Sequence, residues 1–232
     1  MQKKTFIETG VTFHVIDAGL DFHSFHDLHL VLAPFVLPPA IPKTNLLEIE
    51  GMDGSLDLTE ANGEINYYDR DLKFTFSVFP GDDMTFEERQ TAISNALNGR
   101  RCKITLDKDP DYYFIGRCMV NEHLCDKRLC QVVITATVAP YKLLQHETVT
   151  TFEFPAAYEI RTIVLTNGRK RAVPTIETSG EVYVEFGSYK HVYKNETVKD
   201  LNIYLSEGAN LMTVQGLTNA SSIKFSYQEG DL

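Results

Sequence analysis

Three histidines, His23, His26 and His29, recur at intervals of three with Asp21 and Asp27 beside them. On a helix they share one face, and three imidazoles there make a ligand set for a transition metal. The flanking Phe22, Phe25, Leu28, Leu30, Val31 and Leu32 form no helical stripe. On a strand the odd spacing puts His23 and His29 on one face and His26 on the other. The favoured reading is therefore polar positions on a strand or loop. The cysteines at 102, 118, 125 and 130 are too widely spaced for the C-x2-C pairs of structural zinc sites and read as reduced, mostly buried thiols. The acids Asp53, Asp57, Glu60, Asp109 and Asp111 supply carboxylates for acid–base chemistry, yet all stand in turn contexts where Asp has a conformational role. Ser55 lies outside a G-x-S-x-G elbow, and there is no G-x-x-x-x-G-K-[ST] loop. No catalytic, cofactor-binding or metal-binding residue is assigned, and the expectation is a protein that is not an enzyme.

Composition and charge narrow the class. The chain has 232 residues, 43% hydrophobic and 23% charged, which is ordinary for a globular protein of one large or two medium domains. The longest apolar run, 28–41, is short of the ~20 residues needed to span a bilayer and is broken by prolines, so no membrane insertion is expected. The opening MQKKTFIETG has lysines without an apolar stretch behind them, which is no secretory signal. A formal net charge of −10 disfavours stable nucleic-acid binding, which relies on clustered Lys and Arg. The one basic run, Arg169-Lys170-Arg171, reads as a solvated turn.

The elements that would position these residues are mostly strands. One helix is predicted over 85–98: Thr85 and Glu88 form a capping box, and Asp82 and Asp83 face the positive end of the dipole. Phe86, Ala92, Ile93, Ala96 and Leu97 make its apolar side, and Gly99 stops it. Alternation predicts strands at 71–79, 102–106, 112–120 and 131–138, with turns at 107–111 and 122–128. After a boundary at Pro140, eight short strands are predicted at 150–154, 161–166, 175–178, 182–186, 189–193, 200–205, 210–215 and 222–227. The expected architecture is mainly β with one helix: an N-terminal α+β domain (1–142) and a C-terminal antiparallel β-sandwich or jelly roll (143–232). Between strands lies hairpin and loop chemistry at 48–61, where Gly51, Gly54 and Gly63 permit special backbone angles and Asp53, Asp57 and Asn62 bond their own backbone.

Aromatic and proline-rich stretches are the remaining candidates. Tyr67, Tyr68, Tyr112 and Tyr113 exceed what core packing needs, and exposed tyrosines favour interfaces. The apolar 32–42 segment contains Pro34, Phe35 and Pro38 and is unable to pair as a central strand, so it reads either as a loop on its own domain or as an arm across a neighbouring subunit. Pro34, Phe35, Pro38, Tyr67, Tyr68, Tyr112 and Tyr113 are the expected interface residues. In the second domain Tyr183, Phe186, Tyr189 and Tyr193 are available for stacking on sugars, the alternative function being a carbohydrate-binding module for host cell-surface recognition.

The succession of the 33–42 segment, Gly51-Met52-Asp53-Gly54, Asp57-Leu58-Thr59-Glu60, Asp109-Pro110-Asp111-Tyr112-Tyr113 and Gly116-Arg117 resembles the distal tail protein family of long, non-contractile-tailed phages and prophages. The match covers most of residues 1–142; Thr166-Asn167-Gly168, Pro174, 207–210 and 227–232 are more loosely similar to the family's second domain. The resemblance implies a hexameric hub ring made by the first domain, with a galectin-like second domain. It implies a homohexamer in the distal tail of a virion, assembled in the bacterial host cytoplasm, with a channel for DNA passage. The implied partners are the tail tube protein, a tail-associated lysin or spike protein and, at the side, a receptor-binding protein. No cofactor is implied.

Overall fold

A computed structural model describes residues 10–61, 63–78, 85–126 and 129–232, with the backbone alone at 122–126 and 129. In chain order the first elements are β1 (Val11–Val15), β2 (Leu20–His23), β3 (Leu30–Leu32), β4 (Leu46–Glu48), β5 (Ser55–Asp57), β6 (Arg70–Val78), α1 (Phe86–Leu97), β7 (Arg101–Leu106), β8 (Asp109–Asp126) and β9 (Leu129–Val138). Seven of these strands pair in the antiparallel order β2-β1-β7-β8-β9-β6-β3. The sheet is legible in β6, where Leu72, Phe74 and Phe76 are fully buried while Asp71 and Lys73 face water. Phe13 lies at 88° and 6.0 Å to Phe74, the edge-to-face packing that aromatic quadrupoles favour. Each such buried side chain contributes about 1.5–3 kcal/mol relative to exposure.

The helix covers the core face. Thr85 Oγ1 accepts from Glu88 N while Glu88 accepts from Thr85 N, so both halves of the capping box form. Ile93 and Leu97 are buried, but Ala92 is exposed and Arg89 takes a buried position, donating Nη1 to Leu28 O at 3.0 Å. Gly99, at φ 73°, turns the chain, and Asn98 Oδ1 accepts from Val120 N. Phe79, Asp82 and Asp83 lie outside the described residues, as does Asn62.

The β7–β8 turn is tighter than the sequence predicts. Leu106 pairs with Asp109, so only two residues turn the chain and β8 runs on to Asp126. The β8–β9 pairing continues to Asp126↔Leu129, through positions expected as a loop. Pairing both edges of β8 satisfies backbone groups that a loop there would leave to water.

The chain divides into two units, Met1–Lys142 and Leu143–Leu232, with the short β10 (Lys142–Leu144) at the division. The second unit contains β11 (Thr148–Phe154), β12 (Ile160–Asn167), β13 (Thr175–Ser179), β14 (Glu181–Phe186), β15 (Tyr189–Lys194), β16 (Thr197–Lys199), β17 (Gly208–Gly216), β18 (Ser221–Tyr227) and β19 (Gly230–Asp231). Two four-stranded antiparallel sheets, β11-β18-β13-β16 and β12-β17-β14-β15, enclose Phe154, Ile176, Val184, Val214 and Phe225. The fold is mainly β with one helix, ending in an antiparallel β-sandwich. One expected strand fails: 200–205 is a turn and an isolated bridge, Ala172↔Leu205. Asp200 Oδ1 accepts from Asn202 N at 2.9 Å and Asp200 O from Ile203 N, which bends the backbone away from any ladder.

Candidate interaction surface

Two of the three histidines come together, with the His23 and His26 rings 4.5 Å apart. His23 closes β2, His26 sits in the following turn and His29 adopts φ 51°. His23 Nδ1 accepts from the backbone N–H groups of Phe25 and His26, which leaves Nε2 as the protonated nitrogen facing Asp107 Oδ2 at 3.2 Å. Asp107 also accepts from Gly10 N at 3.0 Å. This carboxylate ties the β7–β8 turn to the start of β1 and the end of β2, and the cluster has a structural use. Among the described residues no three His, Cys, Asp or Glu side chains are placed to hold a metal. Cys102 and Cys118 are free, buried thiols, and the hydrogen-bonding contact with Cys102, with burial second, pushes the Cys118 thiol up. Cys130 departs from the expected reduced state: it is disulfide-bonded, and its backbone partner across the β8–β9 hairpin is Cys125.

Of the acids of 48–61, Asp57 does the turn work expected of it. Thr59 donates both its hydroxyl and its amide to Asp57, which lowers the Asp57 pKa. Gly51 and Gly54 sit at φ 83° and 77°, closed to most side chains, and let β4 and β5 close as a hairpin pairing Leu46 with Asp57 and Leu47 with Leu56. Lys142 Nζ meets Asp109 at 2.7 Å, so that acid is already neutralised.

The expected interface residues fall into three environments. Pro34 and Tyr68 are exposed, Tyr68 to 54%. Phe35 is half-buried, its ring 4.8 Å from Phe74, and Pro38 is half-buried too, so part of the proline segment packs on its own core. The bridge Pro42↔Tyr67, with Lys43 N donating to Asn66 O, brings the end of that segment to Tyr67 and Tyr68. Tyr67 meets Tyr141 edge-on at 5.8 Å, and the next residue, Lys142, places Nζ 4.1 Å from the Tyr112 ring. Tyr67, Tyr68 and Tyr112 therefore belong to one neighbourhood. Tyr113 does not share their exposure: it is 5% exposed, with Lys103 Nζ 4.9 Å from its ring. Both Tyr113 and Phe114 are buried although a pleat sends them to opposite faces, so the sheet is covered on both sides at this point.

A further exposed apolar stretch begins beside Tyr68, whose N donates to Ile41 O. Between Ile41 and Leu56 the side chains of Ile41, Leu46, Leu47, Ile49, Met52 and Leu56 are 42–62% exposed. Leu47 and Leu56 stand opposite each other on one face of the hairpin, and Leu46 points to the other face, so both faces are bare. A lone two-stranded hairpin is marginally stable in water, and contiguous exposed apolar groups mark interaction sites. The signal was in the sequence: NLLEIEGMDGSLDL alternates apolar residues through a stretch dominated by turn formers.

In the second unit three of the four aromatics that would stack on sugars, Phe186, Tyr189 and Tyr193, belong to or pack against the core. Tyr193 is 1% exposed, Phe186 packs against the sandwich interior, and Tyr189 donates its hydroxyl to Asp200. Tyr183 is half-buried and bonds Glu185. The ring of Tyr204 is covered by Arg171, whose Cζ is 3.5 Å from its centroid. Tyr183 alternates with the buried Val182 and Val184 and so lies on the outer face of its sheet.

No family model matches the chain, and no curated protein matches it. Among solved structures, the crystal structure of the Dit protein of SPP1, described as a paradigm of the hub adsorption apparatus in Gram-positive infecting phages, is similar at a TM-score of 0.61 and 16% identity. The likeness covers 97% of this chain and 99% of that one. At this identity it shows the fold, which is Dit-like over nearly the full length of the chain.

Proposed function

We propose that this protein is a structural hub of a phage tail. It forms a hexameric ring at the distal tail or baseplate, joining the tail tube to the adsorption apparatus and leaving a channel for DNA. The observation that carries this reading is the full-length likeness to a hub protein, which spans both units rather than one common module. The exposed 41–56 hairpin supports it, because a subunit of a closed ring needs surface to give to its neighbours. Residues 1–142 are the ring-forming domain in this proposal and 143–232 the projecting sandwich. Pro34, Tyr67, Tyr68 and Tyr112 lie at or beside the subunit contacts, with Phe35 and Pro38 holding the segment in place. Its partners are the tail tube protein, a tail-associated lysin or spike protein and a receptor-binding protein, in a virion or prophage-encoded tail assembled in the bacterial cytoplasm. The ring acts through shape and contact rather than catalysis. Mass photometry and negative-stain imaging of the full chain across concentration test it: a six-fold ring with a central opening is expected, and a monomer at every concentration refutes it.

A further inference from the structure

Arg70 opens β6 at one end of the first unit's core, and its side chain is 5% exposed. It shares a face of the strand with the buried Leu72, Phe74 and Phe76, so the guanidinium is carried on the core side. Nε and Nη1 are buried without an acceptor. The other buried arginine, Arg89, differs in giving Nη1 to Leu28 O. The Phe114 ring, its centroid 5.8 Å from Arg70 Cζ, offers a π-face and no oxygen. No carboxylate pairs with Arg70 among the described residues. Asp71 stands on the opposite face and accepts from Thr137 Oγ1 at 2.7 Å. Burial alone pulls the Arg70 pKa down, with no acid to hold it up. A second cation borders this end of the sheet. Tyr68 precedes Arg70 by two residues and is 54% exposed, and Lys43 Nζ lies 5.3 Å from its ring centroid. Lys43 is exposed and also has no ion pair among the described residues.

We infer that Arg70, with Tyr68 and Lys43 beside it, is an oxyanion site that takes a carboxylate or a phosphate group. A planar guanidinium presents its N–H donors in a fork that fits two oxygens of either group. Burying that cation unpaired costs the fold its desolvation, which only a charged acceptor repays. The chain has 32 acidic residues and a net charge of −10, yet its fold brings none of the described acids to Arg70. The acceptor therefore comes from outside the fold. A free ion and the acidic side chain of a bound protein would meet Arg70 through the same oxygens. The inference goes beyond the ring proposal and does not depend on it.

The test is the melting of the full chain against sodium phosphate and sodium acetate, with sodium chloride holding the ionic strength constant. The wild-type midpoint is expected to rise and saturate, by about 5 °C at ten times the dissociation constant. Arg70→Met is expected to melt at or above the wild type in chloride alone, because it removes an unpaired buried charge. It loses the saturable rise and keeps only the unsaturating gain that an excluded salt such as phosphate gives any protein. A saturable response to acetate as strong as that to phosphate assigns the site to a carboxylate, the group a partner's Asp or Glu supplies. A response to phosphate alone assigns it to a phosphate ion. Where Arg70→Met does not fold, hydrogen exchange of the wild type reads the same site: the effective ion slows exchange about tenfold in the peptides holding Arg70 and Val138, which pair across β6 and β9. No saturable rise with either ion, an equal rise in Arg70→Met, or exchange unchanged around Arg70 overturns the inference and leaves the ring proposal untouched.

Discussion

Asp200→Ala is the substitution whose consequences the second unit defines most fully. The carboxylate accepts from the hydroxyls of Tyr189 at 2.5 Å and Tyr193 at 2.7 Å, and from the backbone and side-chain amides of Asn202 at 2.9 Å each. Burial opposes ionisation, yet the two phenols and the amide outweigh it and hold the pKa at about 2. Removing the carboxylate strands the Tyr193 hydroxyl, whose side chain is 1% exposed, at a cost of about 1–3 kcal/mol. Tyr189 is half-buried and turns to water, so its loss is about 1 kcal/mol or less once solvent screening is allowed for. The sum is about 1–4 kcal/mol, and at roughly 4–8 °C per kcal/mol for a unit this small the melting transition falls by about 4–30 °C. Calorimetry of the full chain reads it directly. The folded pKa lies below the ordinary 3.8, so the carboxylate's contribution is complete above 3.8 and is lost as pH falls through about 2. The gap between wild type and Asp200→Ala should therefore close over that window, while Asp200→Asn, which keeps one acceptor, lies between them. A gap under about 0.5 kcal/mol, the size of an ordinary surface substitution, or one that ignores acid, refutes the network.

Other perturbations read the first unit. Thr85→Ala removes the side-chain cap and half the box, so urea unfolding should show a loss of about 1 kcal/mol. Gly116→Ala places a Cβ 2.3 Å from Thr137 O and 2.8 Å from Val138 Cα, which only backbone movement relieves; the expected result is a loss of more than about 2 kcal/mol or failure to fold, seen as a lost cooperative melt. Cys102 and Cys118 are fully buried, so an aromatic disulfide reagent should leave both unlabelled in native protein and label both in denaturant, counted by mass.

Much of the fold was readable because its cause is local or periodic. The capping box of Thr85 and Glu88 and the alternation of Leu72, Phe74 and Phe76 each needed only neighbours a few residues away. What failed required knowledge of distant partners. The turn at 107–111 shrank to two residues because Asp109 pairs with Leu106 and its carboxylate meets Lys142. The strand expected at 200–205 gave way to a turn because Asp200 found three partners, two of them on β15. Arg89 occupies a helix position that sequence assigns to solvent, since the carbonyl of Leu28 that receives it lies 61 residues earlier. Arg70 is buried with no acceptor for Nε or Nη1 among the described residues, its guanidinium lying 5.8 Å from the centroid of the Phe114 ring, a partner far along the chain.

The surface was harder to read for a different reason. Exposed tyrosines are an enrichment rule, and Tyr113 shows how it misleads when a long side chain such as Lys103 covers the outer face. The hairpin escaped because its residues satisfy two codes at once. Glycines at positive φ and an Asp57–Thr59 turn close the loop, while Leu46, Leu47, Ile49, Met52 and Leu56 serve no core in their own chain. Inside a folded unit an apolar side chain is explained by the neighbours that bury it. These stay 42–58% exposed, and the opposed Arg101 and Arg117 have no acid among the described residues. Stability selection within one chain would remove both features, since a polar hairpin and a mixed-sign sheet face fold as well. Such features make sense where the free energy being minimised is that of an assembly rather than of the isolated chain.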